Sequence, residues 1–101
     1  MSRPNVLMIV CDQLRKDALG CYGNQICETP NIDKVAARGV CFDNTFAALP
    51  VCAPNRGSIM TGRFPTVNGL RSNGIVLPHD ETTLMDVLRH RGYTTYGAGK
   101  M

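Results

Sequence analysis

The sequence predicts an α/β fold in which a mostly parallel central sheet is flanked by helices, and three observations carry that expectation. Asn5 to Val10 read NVLMIV, a short continuous apolar run behind Pro4, the pattern of a strand buried on both faces. Thr29-Pro30 opens a helical pattern that Gly39 closes, and a second strand-like stretch follows it directly. Such alternation suits a parallel sheet, because parallel neighbours are joined by crossovers that are usually helical.

Each element has its own reason. The first strand ends in Cys11 and Asp12, polar groups at the carboxyl end where α/β folds place their sites. Leu19 to Asn24, LGCYGN, is rich in Gly and reads as loop. Thr29 is placed to cap a helix whose first residue is Pro30, with Ile32, Val35 and Ala36 as its apolar stripe. Val40 to Phe46 reads as the second strand, packing through Val40 and Phe42. Leu49 to Pro54 holds two prolines and reads as a tight loop, after which Pro54 opens a helix through Ile59 and Met60 to Gly62. No period survives from Phe64 to His79, where two Gly, two Pro and two Asn crowd together. From about Glu81 a last helix carries Leu84, Val87 and Leu88 on one face and stops at Gly92, and Tyr93 to Gly97 is a short strand candidate.

Composition narrows the function. A chain of 101 residues holds one domain at most, and its 44% apolar content with 11 basic against 8 acidic residues excludes a disordered tail. The formal charge of +3 comes without a basic run, so nucleic acid is not expected as a partner. Arg outnumbers Lys eight to three, which suits recognition of a carboxylate, phosphate or sulfate by a planar fork of donors. The longest apolar run, Val6 to Cys11, is far short of the roughly 20 residues a bilayer span needs and lacks a secretory cleavage site. No membrane partner and a cytoplasmic location are therefore expected. Five cysteines (Cys11, Cys21, Cys27, Cys41, Cys52) without CxxC spacing argue against a disulfide framework and a zinc knuckle, and free thiols are expected.

Three segments are candidates for chemistry. Cys52, in VCAPNRGSIMTGR, stands just before a helix start, where outward N–H groups and the dipole favour a reactive sulfur or an oxyanion. Arg56, four residues on, leans toward the same spot, although a lone Cys also reads as a small buried hydrophobe and an Arg as surface charge. Asp12 after an apolar strand suits a helix cap. Asn73 in GLRSNG reads as a turn residue, and His79 and His90 read as loop and helix-surface residues.

Together these segments resemble the type I sulfatases of the alkaline phosphatase superfamily. Their signature, CxPxR followed several residues later by TGR, is matched by Cys52, Pro54, Arg56, Thr61, Gly62 and Arg63. Asp12 matches the first carboxylate of the family's acidic pair, LGCYG the loop that follows it, and YTTYGAGKM the segment GYxTxxxGKWH, with Lys100 at the family lysine. Gln13 replaces the second Asp, a pairing also found in choline-sulfatase-like enzymes and phosphonate monoester hydrolases.

The resemblance implies an alkaline phosphatase-like α/β fold of which residues 1–101 form the amino-terminal portion of one catalytic domain. It also implies that Cys52 is oxidised to formylglycine by a formylglycine-generating enzyme acting on the unfolded chain. The hydrated aldehyde is a geminal diol: one hydroxyl attacks sulfur in line and expels the alcohol, and loss of the second hydroxyl's proton then ejects sulfate. Arg56 and Lys100 would hold the diol and offset charge on the transferring group, with Asn73 and Lys100 on the substrate anion. Asp12, Gln13 and the modified Cys52 would ligate a divalent cation, Ca2+ first and Mn2+ or Mg2+ next. The implied substrate is a sulfate-ester small molecule or sulfated glycan, and 1–101 alone is expected to be inactive. A phosphonate or phosphate diester hydrolase and a non-catalytic anion-binding module are the alternatives.

Overall fold

The computed structural model describes residues 3–100; Met1, Ser2 and Met101, which the sequence reading included, lie outside the described residues. The chain forms two compact units, one ending at Asn44 and one starting at Thr45.

In the first unit two 3₁₀ turns, Lys16–Ala18 and Gly20–Tyr22, precede helix α1, Pro30–Arg38. Pro30 at the first helical position loses no bond, since that N–H would have had no partner, and the first helical bond runs from the Asp33 N–H to the Thr29 carbonyl at 2.9 Å. Thr29 occupies the cap position, but its hydroxyl does not cap α1. It accepts from the Gly20 N–H at 2.8 Å and donates to Asp33 Oδ1 at 3.0 Å. Asp33 also accepts from the Cys21 N–H at 2.7 Å, so one carboxylate binds the start of α1 to the second turn. Gly20 allows that approach, because a Cβ there would stand 2.5 Å from Asp33 Oδ2.

The second unit holds α2, Cys52–Thr61, α3, Pro65–Asn68, and α4, Leu84–His90. Helix α2 starts two residues earlier than Pro54 predicts. Pro54 is its third residue, and the first bond is made by the Asn55 N–H to the Val51 carbonyl at 3.0 Å. Proline is tolerated throughout a first turn whose N–H groups have no helical partner, so it marks the start loosely. The short α3 lies inside the stretch predicted to have no period, opened by Pro65 at its first position. Helix α4 begins at Leu84, later than Glu81, because Thr83 caps it: its hydroxyl accepts from the Asp86 N–H at 3.3 Å and the Asp86 carboxylate accepts from the Thr83 N–H at 2.9 Å.

The core of this unit is small and local. Pro54, Gly57, Pro65, Asn68 and Leu70 are buried, and Leu70 is the one large aliphatic side chain buried among the described residues. Gly57 leaves room on α2 for the Leu70 side chain. Asn68, 1% exposed, is fully engaged there. Its Nδ2 donates to Thr61 Oγ1 at 3.2 Å and to the Arg63 carbonyl at 3.3 Å, and its Oδ1 accepts from the Leu70 N–H at 3.0 Å.

The predicted strands are not formed among the described residues, and the sheet of the predicted fold is absent with them. Residues 5–10, 40–46 and 93–97 have no ladder partner, and a strand needs a neighbour for its N–H and C=O groups. In the second stretch side chains take that place. Tyr22 Oη donates to the Phe42 carbonyl at 2.9 Å and Lys16 Nζ to the Asp43 carbonyl at 2.9 Å. The apolar side chains meant for a sheet face water, Leu7 and Phe46 among them. No helix of the described residues is long and apolar enough to cross a membrane.

Candidate active site

The site is built on the amino-terminal turn of α2. Val51 holds the cap position in an extended conformation and has no side-chain oxygen to offer the free N–H groups behind it. Asn73, twenty residues on from Ala53, supplies what Val51 lacks: its Oδ1 accepts from the Ala53 N–H at 3.1 Å. The same oxygen accepts from the Cys52 thiol at 3.3 Å. Since the Ala53 N–H can only donate, the oxygen of Asn73 faces the helix and its Nδ2 group remains a donor.

Arg56 lies one turn along α2 from Cys52, and its Nη1 donates to the Lys100 carbonyl at 2.7 Å. That bond spans 44 residues and brings the end of the chain to the first turns of α2. The predicted residues Cys52, Asn73, Arg56 and Lys100 thus meet around one helix start in the second unit. Cys52 is half-buried, a thiol at the positive end of a ten-residue helix. The arrangement can hold a nucleophile at position 52 and set a tetrahedral anion against N–H, amide and cationic donors.

The TGR segment is braced from behind. Thr61 Oγ1 donates to the Gly57 carbonyl at 2.8 Å and accepts from the Arg63 N–H at 3.2 Å, while Arg63 pairs with Glu81 at 3.4 Å. Gly62 ends α2 in the left-handed conformation, φ 67°. His79 is exposed in a turn, and His90 closes α4 with Nδ1 2.7 Å from the Asp86 carbonyl.

Asp12 and Gln13 lie in the first unit, both exposed. Gln13 is the one non-glycine residue in the left-handed region among the described residues, φ 54°, a conformation that costs about 1 kcal/mol and tends to persist where function holds it. The two offer a carboxylate and an amide carbonyl, hard oxygen donors of the kind calcium and magnesium take. Among the described residues no three His, Cys, Asp or Glu side chains converge. The donor chemistry therefore fits part of a cation shell.

Sequence reasoning missed Asn68, whose Asn-Gly turn pair with Gly69 was the available signal, and the Thr83-x-x-Asp86 capping box.

Residues 4–101 match the Sulfatase family. The chain is 40% identical to the steryl-sulfatase of Homo sapiens over 98% of its own length and 19% of that protein. It is 36% identical to the ulvan-active sulfatase of Formosa agariphila, over 98% of this chain and 19% of the relative. With the N-acetylglucosamine-6-O-sulfatase of Bacteroides thetaiotaomicron it shares 36% identity, over 97% and 18%. The chain spans about a fifth of the length of these curated relatives. With the match running through nearly every residue described above, this chain belongs to the sulfatase family.

Proposed function

We propose that the protein carrying this chain is a sulfuric ester hydrolase that uses a formylglycine derived from Cys52 to cleave sulfate esters. The observation that carries the reading is the meeting of Cys52, Asn73, Arg56 and Lys100 at the start of α2. Asn73 accepts from the Ala53 N–H, which fixes the turn that bears residue 52 and leaves Nδ2 to bind a sulfate oxygen. Arg56 supplies a planar fork of donors on the same face, and its bond to the Lys100 carbonyl sets the lysine within the same cluster. Together they offset the charge that develops on the transferring group.

Asp12 and Gln13 are the residues of this chain that would hold a divalent cation, Ca2+ as the first choice. The bound cation would stabilise negative charge on the nucleophile and on the sulfate. The remaining ligands belong to the rest of the domain, in which residues 5–10 and 40–46 pair as strands of an α/β sheet. Three named relatives act on a steryl ester, on ulvan and on an N-acetylglucosamine sulfate, and a sulfated small molecule or glycan is the proposed substrate class. Formylglycine-generating enzyme is the proposed maturation partner.

The test uses the full-length protein expressed with and without that enzyme. Conversion lowers the mass of the Cys52 peptide by about 18 Da and is expected to bring hydrolysis of nitrophenyl sulfate with it. A converted protein that cleaves a phosphonate ester faster than the sulfate overturns the substrate class. One that is never converted and binds sulfate without turnover is an anion-binding module instead.

A further inference from the structure

Two of the remaining thiols share one place in the first unit. Cys21, in the second 3₁₀ turn, and Cys41, past the end of α1, both line an open cavity of about 410 Å³ together with Gly20, Asp33, Ala36 and Ala37. The Cys41 thiol stands near enough to the Cys21 thiol to help push it up from its ordinary value. Hydrogen bonds hold the two segments beside one another. The Cys21 N–H donates to Asp33 Oδ1 at 2.7 Å, and the adjacent residues are joined by the bond from Tyr22 Oη to the Phe42 carbonyl at 2.9 Å. All five cysteines are free thiols in this structure, and neither Cys21 nor Cys41 has a part in the site on α2.

We propose that Cys21 and Cys41 are a reversible thiol–disulfide pair, closed by exchange with a low-molecular-weight disulfide. Cys41 is exposed and Cys21 half-buried, which sets the order of events. The Cys41 thiolate attacks one sulfur of the external disulfide, forming a mixed disulfide and releasing one thiol. The Cys21 sulfur, after losing its proton, attacks Cys41 Sγ and expels the second thiol. In sum one external disulfide is reduced to two thiols and the pair loses two hydrogens. Burial, with the neighbouring Cys41 and Asp33, pushes the Cys21 thiol up from its ordinary value, so Cys21 is the slow, resolving partner. The bond would enclose residues 21 to 41, α1 included, and fasten the second 3₁₀ turn to the segment that follows that helix.

The test treats the intact protein with oxidised glutathione, alkylates what remains free, and maps unreduced peptides by mass spectrometry. Expected is a cross-linked pair bearing Cys21 and Cys41, about 2 Da lighter than the two peptides summed, while Cys11 and Cys27 carry a glutathione adduct or the alkyl group and no cross-link. In Cys21→Ser a glutathione adduct is expected to persist on Cys41, and in Cys41→Ser the Cys21 thiol is expected to be alkylated. Circular dichroism matching the parent shows that each variant has folded. A lasting adduct on Cys41 in the parent, alkylation of both thiols after oxidation, or a link from either to another cysteine overturns the proposal.

Discussion

Asn73 caps Ala53 across twenty residues of chain, its Oδ1 3.1 Å from the Ala53 nitrogen, where Val51 has no oxygen to offer. Two roles are joined in that side chain, and two substitutions separate them. Asn73→Asp keeps the acceptor but loses the amide donor and sets a negative charge beside the anion. It is expected to lower kcat/KM for a sulfate ester about 10²–10³-fold with little change in Tm. Asn73→Ala is expected to lose the cap as well, about 1 kcal/mol of stability by urea unfolding. An active Asn73→Asp enzyme would sink the assignment.

Arg56→Lys keeps the charge and removes the fork. A single ammonium cannot both hold the Lys100 carbonyl, now 2.7 Å from Nη1, and clasp a tetrahedral anion. A fall of about 10²-fold in kcat/KM is expected for fully converted protein, with the Cys52 peptide mass confirming conversion.

Asn68→Leu tests the brace behind the TGR segment. The substitution leaves the buried Leu70 N–H and the part-buried Arg63 carbonyl without the Asn68 side chain. A cost of about 2 kcal/mol is expected in urea unfolding, and a change under 0.5 kcal/mol would contradict the role given to Asn68.

Acid should weaken α4 in a definite direction. Hydrogen bonds from the Thr83 side chain and then its backbone hold the Asp86 carboxyl below the usual carboxylate range. A carboxylate lowered in the folded state gives stability that is present above its unfolded value and lost as pH falls through its folded one. Between about pH 5 and pH 3 the parent is expected to lose more of its urea midpoint than Asp86→Asn does. Equal losses would remove Asp86 as the cause.

The helices were legible where local chemistry decides them. Thr29, Pro30 and Gly39 bound α1 as predicted, because cap position, fixed φ and a helix stop are properties of single residues. What Thr29 does with its hydroxyl was not legible, since Gly20 and Asp33 reach it through the fold. The strands failed for a related reason: NVLMIV states a preference for burial, and only a neighbouring strand turns that preference into a ladder. In the site, Cys52 and Arg56 were readable from one helical turn. Asn73 could be named but not placed, because its capping of Ala53 depends on a loop closing back over α2.

The borrowed cap also sets a clock. Val51 has no side-chain oxygen to cap the first turn of α2, so the cap from Asn73 cannot form until residue 73 has been made. At roughly 5–20 residues per second, the 20 or so residues in between take about 1–4 s to synthesise. Until then Cys52, Pro54 and Arg56 belong to a turn without that hydrogen bond, and residue 73 is the one that closes it.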